Sequence, residues 1–517
     1  MPAKYAIHTT PAAPRWRPVG KLGIVDWRED CSSCHNCVKR ACVYGLYRDE
    51  ADTLRDEIGY LDYIYQCKGC LSCVQNCTKN ILTRVVNPEY LRLGDSYYTP
   101  DILLSTWFQA ETGRIPVSGS GYGGPFSGPG FDSMWTDMSE IVRPTRDGIH
   151  GREYISTSVD LGRKLPHLTF ADGQLACAPP PLMELPLPVM FDVIPEHWCR
   201  GAVVAAVAAA AAQIGTLAVL RDRDLRPGLD VDCSRTVPLL ETPGAAPSSA
   251  RVFEPSATDE GAGWTHVPDP AAADLAPPGI ADSRGSASDP ELAERDVPSH
   301  PLVMIPDAPD VMAIQATVKR NLGDPIVAIR VAATPAVAQR VVELARGGAE
   351  VIHLLFDAHG REQAAAPRHV RDVLRDVHGT LVRQGIRDQI TLIASGGIAL
   401  AEHVAKAIIC GADLVAIDIP LVLALECRLC GECQQRRVCQ IALEEIEPAY
   451  GAHRIVNLLA AWHQQLIEVL GAMGIREVRR LRGETGRSMF FEDLEREAFG
   501  RLFGKRKPPE PVAVSER

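Results

Sequence analysis

Short apolar runs alternate with amphipathic stretches through the second half of the chain. PIVAIRV precedes AVAQRVVELARGGA, EVIHLLF precedes PRHVRDVLRDVHGTLVRQG, ITLIASGG precedes ALAEHVAKAIICGA, and DLVAIDIP closes the series. Unbroken apolar runs suit strands buried on both faces, and the helical periodicity between them suits helices laid on a sheet. The pattern predicts four strands of a parallel α/β unit. PLPVMFDVIP and the PLVMIP that begins at Pro301 add two earlier candidate strands. A closed eight-stranded barrel accommodates the series better than an open sheet, a choice that periodicity alone leaves open.

Residues 201–220, GAVVAAVAAAAAQIGTLAVL, are almost free of polar groups and numerous enough to span a bilayer. Alanine is only weakly driven into hydrocarbon and Gln213 interrupts the run, so a buried helix packed on the sheet is expected, with no membrane span. After Cys439 the segment RIVNLLAAWHQQLIEVLGAMG has the i, i+3, i+4 spacing of an amphipathic helix. From Asp95 to Lys164, Gly, Pro, Ser and aromatic residues predict an ordered loop region. From about residue 223 to 300, Pro, Ala, Asp, Ser and Gly dominate, without sustained apolar periodicity beyond about Pro243, which predicts an exposed, partly disordered insertion. The expected α/β chain has four parts: an arm and cysteine-rich module (1–94), a connecting region (95–180), a (β/α)8 TIM barrel carrying the insertion (181–440), and a helical region with a frayed tail (441–517).

The 517 residues allow two or three domains, and 46% hydrophobic with 23% charged residues lies in the ordinary globular range. A formal charge of -11 argues against a nucleic-acid partner, which needs a basic face. MPAKYAIHTT at the start holds no apolar stretch of the secretory kind, so a cytoplasmic chain with reduced thiols is expected.

Sixteen cysteines in a reducing compartment are better read as metal ligands than as disulfides. Cys177, Cys199, Cys233 and Cys410 stand alone and are read as packing residues; the other twelve form three sets. Cys31, Cys34, Cys37 and Cys42 follow C-x2-C-x2-C-x4-C, and Cys67, Cys70, Cys73 and Cys77 follow C-x2-C-x2-C-x3-C. Three thiolates two residues apart can wrap three corners of an iron-sulfur cube, whereas four-cysteine zinc sites normally use two separated C-x2-C pairs. Both motifs resemble those of bacterial two-cluster ferredoxins. That resemblance implies two 4Fe-4S clusters with exchanged fourth ligands: Cys31, Cys34 and Cys37 with Cys77, and Cys67, Cys70 and Cys73 with Cys42. The first motif has four residues before its last cysteine, and Thr78 stands where proline usually follows. Cys427, Cys430, Cys433 and Cys439 form the third set, C-x2-C-x2-C-x5-C, directly after the last strand-like run. A third cluster, 4Fe-4S or 3Fe-4S, is expected there, at the barrel face where α/β barrels place their chemistry.

Ser395, Gly396 and Gly397 follow a strand and open a helix, so their N–H groups can approach a phosphate that the helix dipole also favours. The stretch that holds them, LIASGGIALAEHVAKAIICGADLVAI, resembles the flavin-phosphate segment of the FMN domain of glutamate synthases. The likeness extends over PIVAIRV, the third cysteine set and GAMGIREVRRLRGE, and the ferredoxin-like start is similar to the shorter, archaeal-type proteins of that family. The resemblance implies FMN, with Arg330 as the cation near its pyrimidine ring and reductive amination of 2-oxoglutarate to glutamate as the reaction. It also implies an external electron donor, a ferredoxin or an NAD(P)H-oxidising subunit, and a separate glutamine amidotransferase as a possible ammonia source. Asp418 stands where related barrels usually have a glycine facing the phosphate, and the family's lysine- and glycine-rich 2-oxoglutarate segment is not recognisable. Two alternatives therefore stand beside this reading: an electron-transfer or scaffold subunit of a larger redox complex, and a flavoenzyme with another substrate. No catalytic residue is assigned.

Three further features are weighed. Gly119, Gly121 and Gly124 match G-x-G-x-x-G, but Pro125 and Pro129 stand where a dinucleotide fold needs a helix. His353, Asp357 and His359 cluster at the end of a strand and suit either acid-base work or packing. Arg143, Arg146, His150 and Arg152 suit either anion binding or solvation. Iron analysis of anaerobically purified protein should find about eight irons in the N-terminal module; zinc in their place would overturn the two-cube reading.

Overall fold

The computed structural model describes residues 6–27 except 17, 18 and 20; residues 34, 40 and 41; 71–115 except 81; 130–136; 155–221 except 168, 172, 173, 176–179 and 200; residue 224; 235–240; and 301–503 except 436. Eight strands close a barrel: β1 (Val189–Phe191), β2 (Ala218–Arg221), β3 (Thr236–Leu239), β4 (Leu302–Pro306), β5 (Ile326–Ala332), β6 (Val351–Leu355), β7 (Thr391–Ser395) and β8 (Leu414–Ile417). Every neighbouring pair is parallel, and β8 returns to β1. Strands β4 to β8 are buried almost throughout, as near-continuous apolar runs require when one face fills the barrel and the other meets helices.

The helices used below are α1 (Pro100–Thr112), α2 (Gly201–Ile214), α3 (Val311–Asn321), α4 (Val337–Gly347), α5 (Val370–Arg383), α6 (Ala401–Ile409), α7 (Ile419–Ala424) and α8 (Pro448–Ala472). Helix α2 links β1 to β2, and α3 to α6 fill the four crossovers from β4 to β8. The stretch 95–164, expected as an ordered loop region, contains the 13-residue helix α1, and two sequence boundaries move. The apolar run 201–220 is not one helix: α2 ends at Ile214, Gly215 turns the chain at φ 78°, and residues 218–221 form β2. Thr236–Leu239, inside the span assigned to the insertion, is β3. Four residues are too few to show a period, and Pro238 argues against a central strand on sequence grounds. Residues 241–300 lie outside the described residues. No described helix is long and apolar enough to cross a membrane.

At the N-terminus Leu22–Trp27 pairs antiparallel with Leu82–Val86, which joins the two ends of the cysteine-rich segment. Cys34, Cys73 and Cys77 are described. Cys31, Cys37, Cys42, Cys67 and Cys70 lie outside the described residues, as do Cys177, Cys233, Gly119, Gly121, Gly124, Arg143, Arg146, His150, Arg152 and the tail from Lys505.

The polar arm is tied to the far side of the fold. Arg454 of α8, fully buried, donates to the carbonyls of Ala424 (2.6 Å), Ala12 (2.9 Å) and Trp107 (3.4 Å). Asn457, one helical turn on, donates to Thr10 O at 2.7 Å and Ala110 O at 3.0 Å. A buried guanidinium has five donors to place, and here one main-chain carbonyl each from the arm, α1 and α7, with the Tyr450 hydroxyl, accept from it. Helix α8 also meets α2 at a glycine: a Cβ on Gly451 would lie 2.7 Å from the Ala206 Cβ. Gly451→Val should therefore push the helices apart, at about 1–3 kcal/mol in denaturant unfolding. An unchanged midpoint would show that this crossing tolerates separation.

Candidate functional site

In a ring of eight strands, β1 and β5 stand opposite each other, so residues at their C-terminal ends meet across the barrel mouth. Asp192 follows β1 directly and Arg330 lies two residues before the end of β5. The guanidinium bridges the mouth: Arg330 Nη1 donates to Asp192 Oδ1 at 2.5 Å and Nη2 to Oδ2 at 3.3 Å. The two side chains are 11% and 8% exposed. Burial alone would raise the Asp192 carboxyl, but the Arg330 charge and its hydrogen bonds outweigh that and hold it at about 2.

His353, beside Arg330 on β6, is fully buried with Nε2 3.7 Å from Asp192, and neither ring nitrogen has a hydrogen-bond partner among the described residues. Burial pushes it down to about 3, so it is neutral. Asp418 follows β8 as Asp192 follows β1. Phe191 and Ile417 are register partners, and Asp192 N donates to Ile417 O at 2.8 Å, so the two carboxylates end adjacent strands. Asp418 Oδ1 accepts the N–H of Ile419 at 2.6 Å and caps α7. Burial, then the charge of Asp192, raise its carboxyl to about 6. Tyr98 is buried close by and stays protonated, raised well above its ordinary value by burial first and Asp418 second.

Ser395, Gly396 and Gly397 stand together at the end of β7, with Gly396 at φ 97° and Gly397 at φ 71°. A Cβ on Gly396 would fall 2.4 Å from Asp357 O, and one on Gly397 2.6 Å from the Gly360 Cα, so the turn needs glycine twice over. The turn is buried, and among the described residues the N–H groups of Gly396, Gly397 and Ile398 meet no acceptor. Unpaired buried N–H groups are uncommon, and a set of them where a strand enters a helix fits a phosphate. Tyr97 closes over the turn by donating its hydroxyl to Gly397 O at 2.6 Å.

The cluster expected of His353, Asp357 and His359 disperses. Asp357 Oδ1 accepts the N–H groups of His359 and Arg361 and shapes its own loop. His359 lies 3.0 Å from Asp95 and stacks on Tyr97 at 5.4 Å, and the Asp95 hydrogen bond raises its pKa against the effect of burial. Asp95, Tyr97, Tyr98 and Asp192 were not singled out by sequence; only Asp192, a carboxylate ending an apolar run, carried a signal.

Cys427, Cys430, Cys433 and Cys439 line one cavity with His197 and Trp198. Four thiols around one cavity are a donor set that fits an iron-sulfur cluster. Burial pushes the Cys427 thiol up to about 12, so binding must drive its deprotonation. Arg15 and Trp16 of the arm clamp the loop: Arg15 pairs with Glu426 at 3.1 Å, and Arg15 and Trp16 donate to Ile441 O at 3.0 and 3.1 Å. Cys410 is a buried packing residue and Cys199 is half-buried.

Asp132, Glu402 and His403 come together near α6. His403 Nδ1 accepts the Ala399 N–H at 3.2 Å, which leaves the ring proton on Nε2 and no lone pair there for a metal.

Residues 316–476 match the conserved region in glutamate synthase. The archaeal-type glutamate synthase (NADPH) of Dehalococcoides mccartyi is 28% identical over 490 residues, 89% of this chain and 93% of its own length. The archaeal glutamate synthase (NADPH) of Archaeoglobus fulgidus is 26% identical over 525 residues, covering 92% and 96%. Among solved structures, a mandelate oxidase mutant with an FMN adduct aligns over 69% of this chain and 95% of its own at 15% identity and a TM-score of 0.34, too distant to bear on function.

Removing one member of a buried pair strands the other. Asp192→Asn should cost about 3–5 kcal/mol in denaturant unfolding near neutral pH. The Asp192 carboxyl is lowered in the fold, so this contribution is present above the ordinary carboxylate range and lost as pH falls toward about 2. A loss below about 1 kcal/mol would show that the mouth does not depend on the pair.

Proposed function

Because the chain belongs to the glutamate synthase family, we propose that it is an oxidoreductase of that type, which uses iron-sulfur clusters and FMN for the reductive amination of 2-oxoglutarate to glutamate. One juxtaposition supports this reading most. A single short strap touches both cofactor loops: Gly94 N donates to Arg428 O, between Cys427 and Cys430, and Tyr97 OH donates to Gly397 O in the glycine turn. Three residues of main chain reach about 10 Å, so the third cysteine set and the phosphate turn are near neighbours.

When bound, FMN supplies the conversion from single electrons to hydride transfer. The chain's own residues do the rest. Gly396, Gly397 and Ile398 offer N–H groups to the phosphate, with Ser395 placing the turn, and Tyr97 holds it closed. Arg330 supplies a fixed positive end to the mouth, oriented by Asp192. The N-terminal cysteines would receive electrons from a ferredoxin or an NAD(P)H-oxidising subunit, and Cys427, Cys430, Cys433 and Cys439 would hold the relay cluster beside the barrel. Ammonia would come from a separate glutamine amidotransferase or from solution.

A second reading, an electron-transfer subunit whose barrel is a scaffold, is favoured by Asp418. Its carboxyl caps α7 and sets a second acidic group beside Asp192 at the mouth. Flavin content and glutamate formation decide between the readings, measured with a chemically reduced ferredoxin, 2-oxoglutarate and ammonia. FMN and glutamate are expected. Gly396→Val should empty the protein of FMN with its iron retained, and Tyr97→Phe should weaken FMN binding. Full iron without FMN or glutamate in the wild type would favour the scaffold.

A further inference from the structure

Two carboxylates end adjacent strands at the barrel mouth, and one guanidinium serves them. Arg330 gives both of its described carboxylate hydrogen bonds to Asp192. The described hydrogen bonds to the Asp418 carboxyl come from main-chain N–H groups, that of Ile419 and its own. The described groups facing Asp418 are Asp192 from the end of β1, Arg330 from β5 and Tyr98 from the strap; His353 on β6 faces Asp192. Tyr98 and His353 are neutral, so two acids share a single positive charge. Like charges side by side in a poorly solvated place do not both ionise easily, and the member with the cation ionises first.

We propose that Asp192 and Asp418 form a coupled pair holding one exchangeable proton at the barrel mouth, with Asp192 the ionised member and Asp418 the proton donor in the imine-forming half of the reaction. This rests on the glutamate synthase reading. Asp418 is partly exposed where Asp192 is buried, so of the two side chains it is the more open to a ligand. Ammonia and 2-oxoglutarate first give a carbinolamine. Asp418 transfers its proton to the carbinolamine hydroxyl, the C–O bond breaks, the nitrogen lone pair closes the C=N bond, and water leaves. The products are an iminium and an Asp418 carboxylate, which solvent reprotonates. The group thereby passes from neutral to one net negative charge as the substrate gains one positive charge, which stabilises the iminium where it forms.

The test uses the iron- and FMN-loaded protein and Asp418→Asn, which keeps the size of the side chain and an oxygen for the Ile419 N–H. A carboxylic-acid C=O infrared band in the wild type should titrate at about 6 and vanish in the variant. Wild-type kcat should fall as pH rises through that value, since the acid must be protonated. Asp418→Asn should lose this limb and about 100-fold or more in kcat, with KM little changed. Asp192→Asn, which removes the neighbouring charge, should move the band to lower pH. A missing band overturns the pair whatever the activity. A band that persists in Asp418→Asn, or a variant that keeps the wild-type pH limb and rate, overturns the assignment to Asp418. A titrating band in a wild type that forms no glutamate overturns the proposed reaction and the donor role with it, and leaves the shared proton standing.

Discussion

A guanidinium on β5 reaches across the open end of the barrel to a carboxylate that ends β1, and the mouth is organised around that ion pair. Desolvating two charges is costly, and their attraction repays the cost only when geometry is good and the hydrogen bonds are satisfied. Here the pair is bidentate, and it fixes everything near it. Arg330 cannot swing toward a ligand without stranding Asp192, His353 is held neutral beside them, and the second carboxylate, Asp418, is left without a cation of its own. The electrostatics of the mouth thus follow from a count of charges more than from any single contact.

The other organising feature is how the chain's N-terminal part is fastened to the barrel. The arm meets α8 through Arg454 and Asn457, and its next residues, Arg15 and Trp16, grip both ends of the loop that carries the third cysteine set. The strap from Gly94 to Tyr98 then touches that same loop and the glycine turn after β7. His359 and Asp95 add a hydrogen-bonded pair to this strap, and stacking on Tyr97 holds the ring in place. These contacts join residues hundreds of positions apart, and they give the cysteine loop and the barrel a fixed relation that the loop's own short, turn-rich sequence could not impose.

The order of strands and helices from Ile326 to Ile417 was legible because each apolar run is long enough to show its period and each crossover helix has a polar face. The cysteine spacings are likewise local, written within a few residues of one another. Of the first three barrel strands only β1, within PLPVMFDVIP, was legible. β1, β2 and β3 are three or four residues each, one hidden behind an alanine-rich helix and one carrying Pro238 in a composition that reads as loop. The glycine turn was found from its place between strand and helix, but the reason both glycines are needed, contact with main chain at Asp357 and Gly360, is not a property of the segment.

Sequence by itself determined the repeating α/β pattern, the three cysteine sets and the strand-to-helix turn at Ser395, because each is written in neighbouring residues. Only the tertiary structure decided what faces what. Closing eight strands sets β1 against β5 and beside β8, and so brings Asp192 to Arg330 on one side and to Asp418 on the other. Charges separated by more than two hundred positions settle their protonation together through space, at distances that no local pattern encodes.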